Sequence, residues 1–154
     1  DIDPSAGLAS FEVLHHRCEP VGERNGVLYI DDSKGTNVAA VIAALHSISG
    51  RKLIILGGQG KGERYDELAR VVCEETFAAI VIGSEAEKIF AALLAAGYRH
   101  AVRAKDMSEA VKKASKLAGP GDKVLLSPAC TSWDMYHSYE ERGDHFAQLV
   151  RTLF

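Results

Sequence analysis

From residue 26 onward the chain alternates between two hydrophobic periodicities. Residues 26–30, 52–56, 78–82, 101–104 and 123–126 are short runs rich in Val, Ile and Leu, with no polar alternation. Runs of this length that are apolar on both sides suit strands covered by helices above and below, as in a parallel sheet. Between them the apolar spacing becomes helical. Residues 37–48 place Val38, Val41, Ile42 and Leu45 on one face, and residues 65–75 group Leu68, Val71 and Val72. Ser84-Glu85-Ala86-Glu87 reads as a capping box ahead of Ile89, Phe90, Leu93 and Leu94, in a helix that Gly97 stops. Residues 107–118 carry Ala110, Val111, Ala114 and Leu117 and end at Gly119-Pro120-Gly121; residues 139–153 carry Phe146, Leu149, Val150 and Leu153. Ahead of the repeat, residues 17–21 read as extended and Glu23-Arg24-Asn25-Gly26 as a turn, so one antiparallel strand should pair with the next. Residues 1–14 leave two readings open: Leu8, Phe11 and Leu14 on a helical face, or a linker packed over the core. The pattern as a whole predicts one α/β domain with a mostly parallel sheet and a single antiparallel strand.

Composition narrows the function classes. A chain of 154 residues, 47% hydrophobic and 25% charged, has the size and balance of one globular domain. Its net charge of −3 and scattered Lys and Arg exclude the basic footprint of a nucleic-acid binder. The longest apolar runs, such as residues 77–83, are too short to span a bilayer, and no signal peptide is visible. Three widely spaced cysteines, Cys18, Cys73 and Cys130, suit reduced thiols in a cytoplasm. The six histidines show neither H-x-x-x-H nor H-E-x-x-H spacing, so no metal site is predicted from this chain alone. The chain opens Asp1-Ile2-Asp3-Pro4 without an initiator Met, and a piece of a longer protein is the expectation.

Ligands of open α/β sheets bind beyond the carboxyl ends of the strands. Two of the loops there, Gly83-Ser84 and Lys105-Asp106, read as little more than helix starts. Three carry chemistry: residues 31–37 (Asp-Asp-Ser-Lys-Gly-Thr-Asn), residues 57–62 (Gly-Gly-Gln-Gly-Lys-Gly) and residues 127–133 (Ser-Pro-Ala-Cys-Thr-Ser-Trp). In the first, Thr36 or Asn37 is either a plain N-cap or a ligand contact. Lys34 beside a helix N-terminus is electrostatically unfavourable without an anion, which points to an anionic ligand. The second loop is neither a Walker A loop nor G-x-G-x-x-G; it is either a flexible turn with a solvated Lys61 or a place where backbone approaches a ligand. In the third, a nucleophilic serine would need a base such as His137 or His145, and G-x-S-x-G is absent, so Ser127, Thr131 and Ser132 read as hydrogen-bonding groups for a carboxylate. Cys130 reads as a buried, inert thiol. Trp133 and Tyr139, each taken alone, read as core residues and otherwise as pocket walls. Two lysines, several hydroxyls and a Gly-rich loop on one rim suit a small dicarboxylate or a phosphate. A self-contained catalytic set is not visible.

These three loops, in this order, resemble the C-terminal domain of the Mur ligase family across about residues 14–153. His16-Arg17-Cys18-Glu19 is similar to the start of that domain. Asp32-Ser33-Lys34-Gly35-Thr36-Asn37 is similar to the D-S-K-A-T-N motif of the members that add D-glutamate. Residues 57–62, residues 127–132 and the block from Tyr139 to Phe146 resemble the family's remaining motifs. The resemblance implies a Rossmann-like fold, mostly parallel with an antiparallel N-terminal edge strand and helices on both faces. It implies residues 1–14 as the remnant of a linker from a preceding ATP-binding domain, and residues 15–154 as the amino-acid-binding domain. The implied reaction is ATP-dependent ligation of D-glutamate to UDP-N-acetylmuramoyl-L-alanine through an acyl phosphate, in the cytoplasm. ATP and Mg2+ would be held mainly by a central domain outside this chain. Carried over position by position, Thr36, Lys61, Ser132, Trp133 and Tyr139 would hold D-glutamate, Tyr139 through its backbone N–H. Arg17, Asp32 and Asn37 would face the nucleotide, and Lys34 the developing negative charge. Gly35 replaces the family's Ala and is expected to loosen the loop; His15 stands where Pro is common, and Trp133 where Leu is usual. The competing readings are a stand-alone Rossmann-like module that binds a nucleotide or effector, and a folylpolyglutamate-type ligase domain.

Overall fold

A computed structural model describes residues 14–153. Six strands, β1 (Glu19–Arg24), β2 (Val27–Asp31), β3 (Lys52–Gly57), β4 (Ala78–Ile82), β5 (Ala101–Arg103) and β6 (Lys123–Leu126), form one sheet in the order β1-β2-β6-β3-β4-β5. All neighbours are parallel except β1 and β2. The helices are α1 (Val38–Ser47), α2 (Asp66–Glu75), α3 (Ala86–Ala95), α4 (Met107–Leu117) and α5 (Tyr139–Arg151). The antiparallel strand starts two residues later than its sequence suggests and runs to Arg24, because Asn25 (φ 53°) and Gly26 (φ 78°) alone make the turn. Two successive positive φ values are what a two-residue hairpin requires. The readings for Leu8 and Phe11 lie outside the described residues; Leu14 is 58% exposed and is not packed over the core.

Side chains alternate between two buried layers, which explains the absence of polar alternation in the strands. Ile54, Leu56, Val81 and Leu125 face Val41, Leu45, Leu68 and Ile89 of α1, α2 and α3. Leu53, Ile55, Ile80, Val124 and Leu126 face Met107, Val111, Phe146 and Val150 of α4 and α5. Each fully buried side chain of this kind contributes about 1.5–3 kcal/mol.

Two readings of local signals change. Ser84 does not cap α3. The residue before that helix is Glu85, without a side-chain cap bond, and Glu87 pairs instead with Arg103 at the end of β5. The Ser84 hydroxyl instead donates to the Gly58 carbonyl (3.0 Å), and its N–H donates to Asp134 (3.0 Å), so the loop after β4 buttresses the Gly-rich loop. Trp133 is not a core residue: it is 68% exposed, directly after the buried Thr131 and Ser132.

Helix α5 is tied to the sheet edge by a buried guanidinium. Arg142 is 1% exposed. Its Nε donates to Ser33 Oγ (2.8 Å), and its two terminal nitrogens donate to the carbonyls of Ser33 (2.7 Å) and Cys130 (3.0 Å). Burial pulls its pKa down to about 10, which leaves it protonated at neutral pH. The next residue, Gly143, permits the close approach: a Cβ there would lie 2.3 Å from His16 Nδ1 and 2.6 Å from Asp31 Oδ2.

Two outcomes are expected. Arg142→Met orphans two buried carbonyls at about 1–3 kcal/mol each, and denaturant titration should show a loss on the order of 3 kcal/mol. Gly143→Ala, which in an ordinary helix interior stabilises by about 0.5–1 kcal/mol, should instead lower the thermal midpoint, because the methyl group displaces the His16–Asp31 pair.

Candidate functional site

The three chemically distinctive loops follow β2, β3 and β6, which are adjacent in the sheet, with β6 between the other two. Their backbones are laced together. Ala129 N–H donates to the Gly35 carbonyl (2.8 Å), joining the third loop to the first. Gln59 and Thr131 exchange backbone hydrogen bonds (2.9 and 3.0 Å), and the Thr131 hydroxyl donates to the Gln59 carbonyl (3.1 Å), joining the third to the second. Val38 N–H donates to the Glu63 carboxylate (2.8 Å), joining the start of α1 to the chain just past the Gly-rich loop.

The glycines of the second loop serve this packing. Gly57 (φ 121°) would place a Cβ 1.9 Å from the Ile82 carbonyl, and Gly58 (φ 142°) one 2.4 Å from the Thr131 carbonyl. Gly60 lies against the Glu85 carboxylate, whereas Gly62, next to Lys61, has open space around it. The loop is therefore rigid at its root and free at its tip. Gly35, expected to loosen the first loop, does the opposite: its hypothetical Cβ would sit 2.7 Å from Asp32 Oδ2 and 2.9 Å from Ser127 Oγ. The missing methyl lets that loop close on a buried hydrogen bond.

The residues singled out from the sequence fall into two groups. Asp32 and Asn37 are committed to the fold. Asp32 is 4% exposed; it accepts from Ser127 Oγ (2.6 Å) and from Cys18 N–H (3.1 Å). Burial raises its pKa above the usual carboxylate value, and these two donors oppose the rise. Asn37, not Thr36, caps α1, accepting from Ala40 N–H (2.9 Å). Arg17, Lys34, Thr36, Lys61 and Ser132 form the second group: their side chains make no hydrogen bond or ion pair among the described residues. Lys34, Arg17 and Lys61 are exposed, and the Lys34 ammonium lies 5.9 Å from the Tyr139 ring centroid. Tyr139 opens α5, and its carbonyl accepts from Ser33 Oγ (2.7 Å). Arg17, Asp32, Lys34 and Gly35 line a cleft of about 390 Å³, whose far wall is Ala40, Ala43, Ala44 and Ser47 of α1.

Cys130 is 1% exposed with its sulfur 3.4 Å from the Tyr65 hydroxyl, and burial pushes its pKa up to about 11, so it is an inert thiol. Ser127 donates to Asp32 and, among the described residues, is hydrogen-bonded to no imidazole, which removes the base a nucleophilic serine needs. The sequence reading missed Arg142 and Ser33, which position the first loop. An arginine within an amphipathic helix gives no local sign of burial; the small Gly143 beside it is the one available hint.

The comparison with known proteins agrees with this architecture. Residues 16–130 match the family model described as Mur ligase, glutamate ligase domain. The chain is 49% identical over 150 residues to the UDP-N-acetylmuramoylalanine–D-glutamate ligase of Hahella chejuensis, covering 95% of this chain and 33% of that protein. It is 45% identical over 148 residues to the enzyme of the same name from Desulfitobacterium hafniense (strain DSM 10664 / DCB-2), covering 96% and 33%. The chain thus spans about a third of the length of these relatives. The crystal structure of MurF ligase from Thermotoga maritima in complex with ADP superposes with a TM-score of 0.61 at 23% identity, over 99% of this chain and 35% of that one. A family match across most of the described residues, on a fold whose three distinctive loops meet at one rim, means that this chain belongs to the Mur ligase family.

Proposed function

We propose that this chain is the amino-acid-binding domain of an ATP-dependent ligase that joins D-glutamate to UDP-N-acetylmuramoyl-L-alanine in peptidoglycan synthesis. The observation that carries the reading is the lacing of three adjacent loops, which carries Lys34, Lys61, Thr36 and the buried Ser132 with side chains that make no hydrogen bond or ion pair among the described residues. D-Glutamate has two carboxylates, and cationic and hydroxyl donors are the groups that bind them strongly. The relatives at 49% and 45% identity carry the name of this activity.

In this reading Lys61, Thr36 and Ser132 hold the carboxylates, with Trp133 and the first turn of α5 at Tyr139 closing the pocket. The alanine carboxylate is activated as an acyl phosphate with ATP and Mg2+ held mainly outside this chain. The D-glutamate amine attacks that carbonyl, the tetrahedral intermediate collapses, and phosphate leaves. Lys34, on a loop held by Arg142, offsets the negative charge that builds up at the carbonyl. Arg17 and the rigid Asp32 line the cleft beside it and would meet the nucleotide when the domain closes. Asn37 sets the direction of α1 at that edge. Closure brings the amine to the acyl phosphate and excludes water.

In the longer protein that carries this domain, Lys61→Ala should raise the KM for D-glutamate about tenfold or more, the loss of one charge-assisted hydrogen bond, with the KM for ATP within about twofold. Steady-state kinetics with each substrate varied in turn reads the difference, and an unchanged D-glutamate KM would count against the assignment. Trp133, the single tryptophan of this chain, should change its emission when nucleotide and both substrates close the cleft, with Trp133→Phe as the blank. An emission indifferent to substrates would place it outside the pocket.

A further inference from the structure

A second cluster lies at the opposite flank of the first loop, where the segment entering β1 meets α5. His15, His16 and Asp144 each offer one ligand atom there, all within 4.8 Å of one another. His16 Nε2 is 3.5 Å and His15 Nε2 4.0 Å from Asp144 Oδ1. Both separations are too long for a good hydrogen bond. The first is close to the spacing of about 3.3 Å between neighbouring ligands of a tetrahedral ion with bonds of about 2.0–2.1 Å, and the exposed His15 ring is free to close the second.

The far side of each imidazole is already occupied by a carboxylate. His16 Nδ1 is 2.6 Å from Asp31 Oδ2, in a pair that is almost wholly buried, and His15 Nδ1 is 2.6 Å from Glu19 Oε2. A carboxylate accepts, so Nδ1 carries the proton in the neutral ring and Nε2 presents its lone pair. This is the carboxylate–histidine arrangement that orients metal-bound imidazoles and raises their basicity. Glu19, Asp31 and Asp144 place three carboxylates around the two rings, against one cation, Arg151, in the lining of the same cavity. A cavity of about 250 Å³ opens over these side chains, and His15 and Asp144 are both exposed.

We propose that His15, His16 and Asp144 bind a divalent transition-metal ion, with water completing its coordination. Two imidazoles and one carboxylate select zinc, cobalt or nickel over magnesium. The ion would clip the entry to β1 onto α5. It would thereby brace the first loop, since the His16 carbonyl accepts from Lys34 N–H (3.0 Å). The site stands apart from the ligase reading and does not depend on it. Asp144 is its least committed ligand, since its carboxylate accepts no hydrogen bond among the described residues.

The test is titration of the reduced, tag-free chain with ZnCl2 by calorimetry and with CoCl2 by visible absorption, together with thermal melts. One equivalent should bind with micromolar affinity, and the melting temperature should rise by about 5 °C or more at a hundredfold excess over Kd. His15→Ala and Asp144→Asn should each weaken binding at least about tenfold, and His15→Ala should leave the metal-free melting temperature nearly unchanged because the ring is exposed. Cys18→Ser is the control for a thiol site; burial pushes the Cys18 thiol up to about 12, which makes it a poor ligand at neutral pH. Binding no tighter than millimolar, equal affinity in His15→Ala and the parent chain, or a thiolate–cobalt band that Cys18→Ser abolishes would each overturn the proposal.

Discussion

A guanidinium taken out of water costs several kcal/mol unless its donors find acceptors. Among the described residues Arg142 finds no carboxylate within ion-pair distance; it is satisfied by Ser33 Oγ and the carbonyls of Ser33 and Cys130. Those acceptors lie on two loops more than ninety residues apart in sequence, so the folded state must bring both loops to one side of α5. The rim inherits its shape from that requirement. Ser33 passes the constraint on to Tyr139, whose carbonyl accepts from the same hydroxyl, and Lys34 follows directly in the chain. A planar fork with fixed donor directions imposes this geometry; a lysine, with one compact ammonium, would not.

Around that anchor the polar residues divide the labour. Asp31, Asp32, Ser127, Thr131 and Asn37 satisfy one another or the backbone, and Gly35, Gly57 and Gly58 supply the close approaches that let them do so. The groups with ligand-binding chemistry are carried on this frame without being used by it. A site of this kind is held in place before any ligand arrives, which reduces the ordering cost of binding. The frame also carries some strain: Ala129, Cys18 and His16 hold φ values of 64°, 46° and 65°, all on segments that border the rim. For residues with a Cβ this conformation is costly, and it persists where surrounding hydrogen bonds over-determine it.

Much of this was legible beforehand. Apart from β1, which ends three residues later than its extended stretch suggests, the strands and helices emerge within one or two residues of their hydrophobic periods, because burial on both faces of the sheet leaves only apolar side chains in the central strands. The Asn25-Gly26 turn was legible for the same local reason, since few residues accept two positive φ values. The misreadings concern residues whose role depends on distant neighbours. Ser84 has the local signature of a cap, yet its hydroxyl has a better acceptor in Gly58. Trp133 has the apolar bulk of a core residue, yet it follows the buried end of its loop and is itself exposed. Gly35 looked permissive until the Asp32–Ser127 pair appeared beneath it.

The sequence by itself determined an α/β domain, its antiparallel first strand and the three loops that carry its chemistry, since periodicity and turn chemistry act over a few residues. Only the tertiary structure decided that these loops meet. Strand β6, last in the chain, inserts between β2 and β3 and places the third loop between the other two. Strand order is set by which apolar faces pack best across the whole sheet, and no window of neighbouring residues encodes that choice.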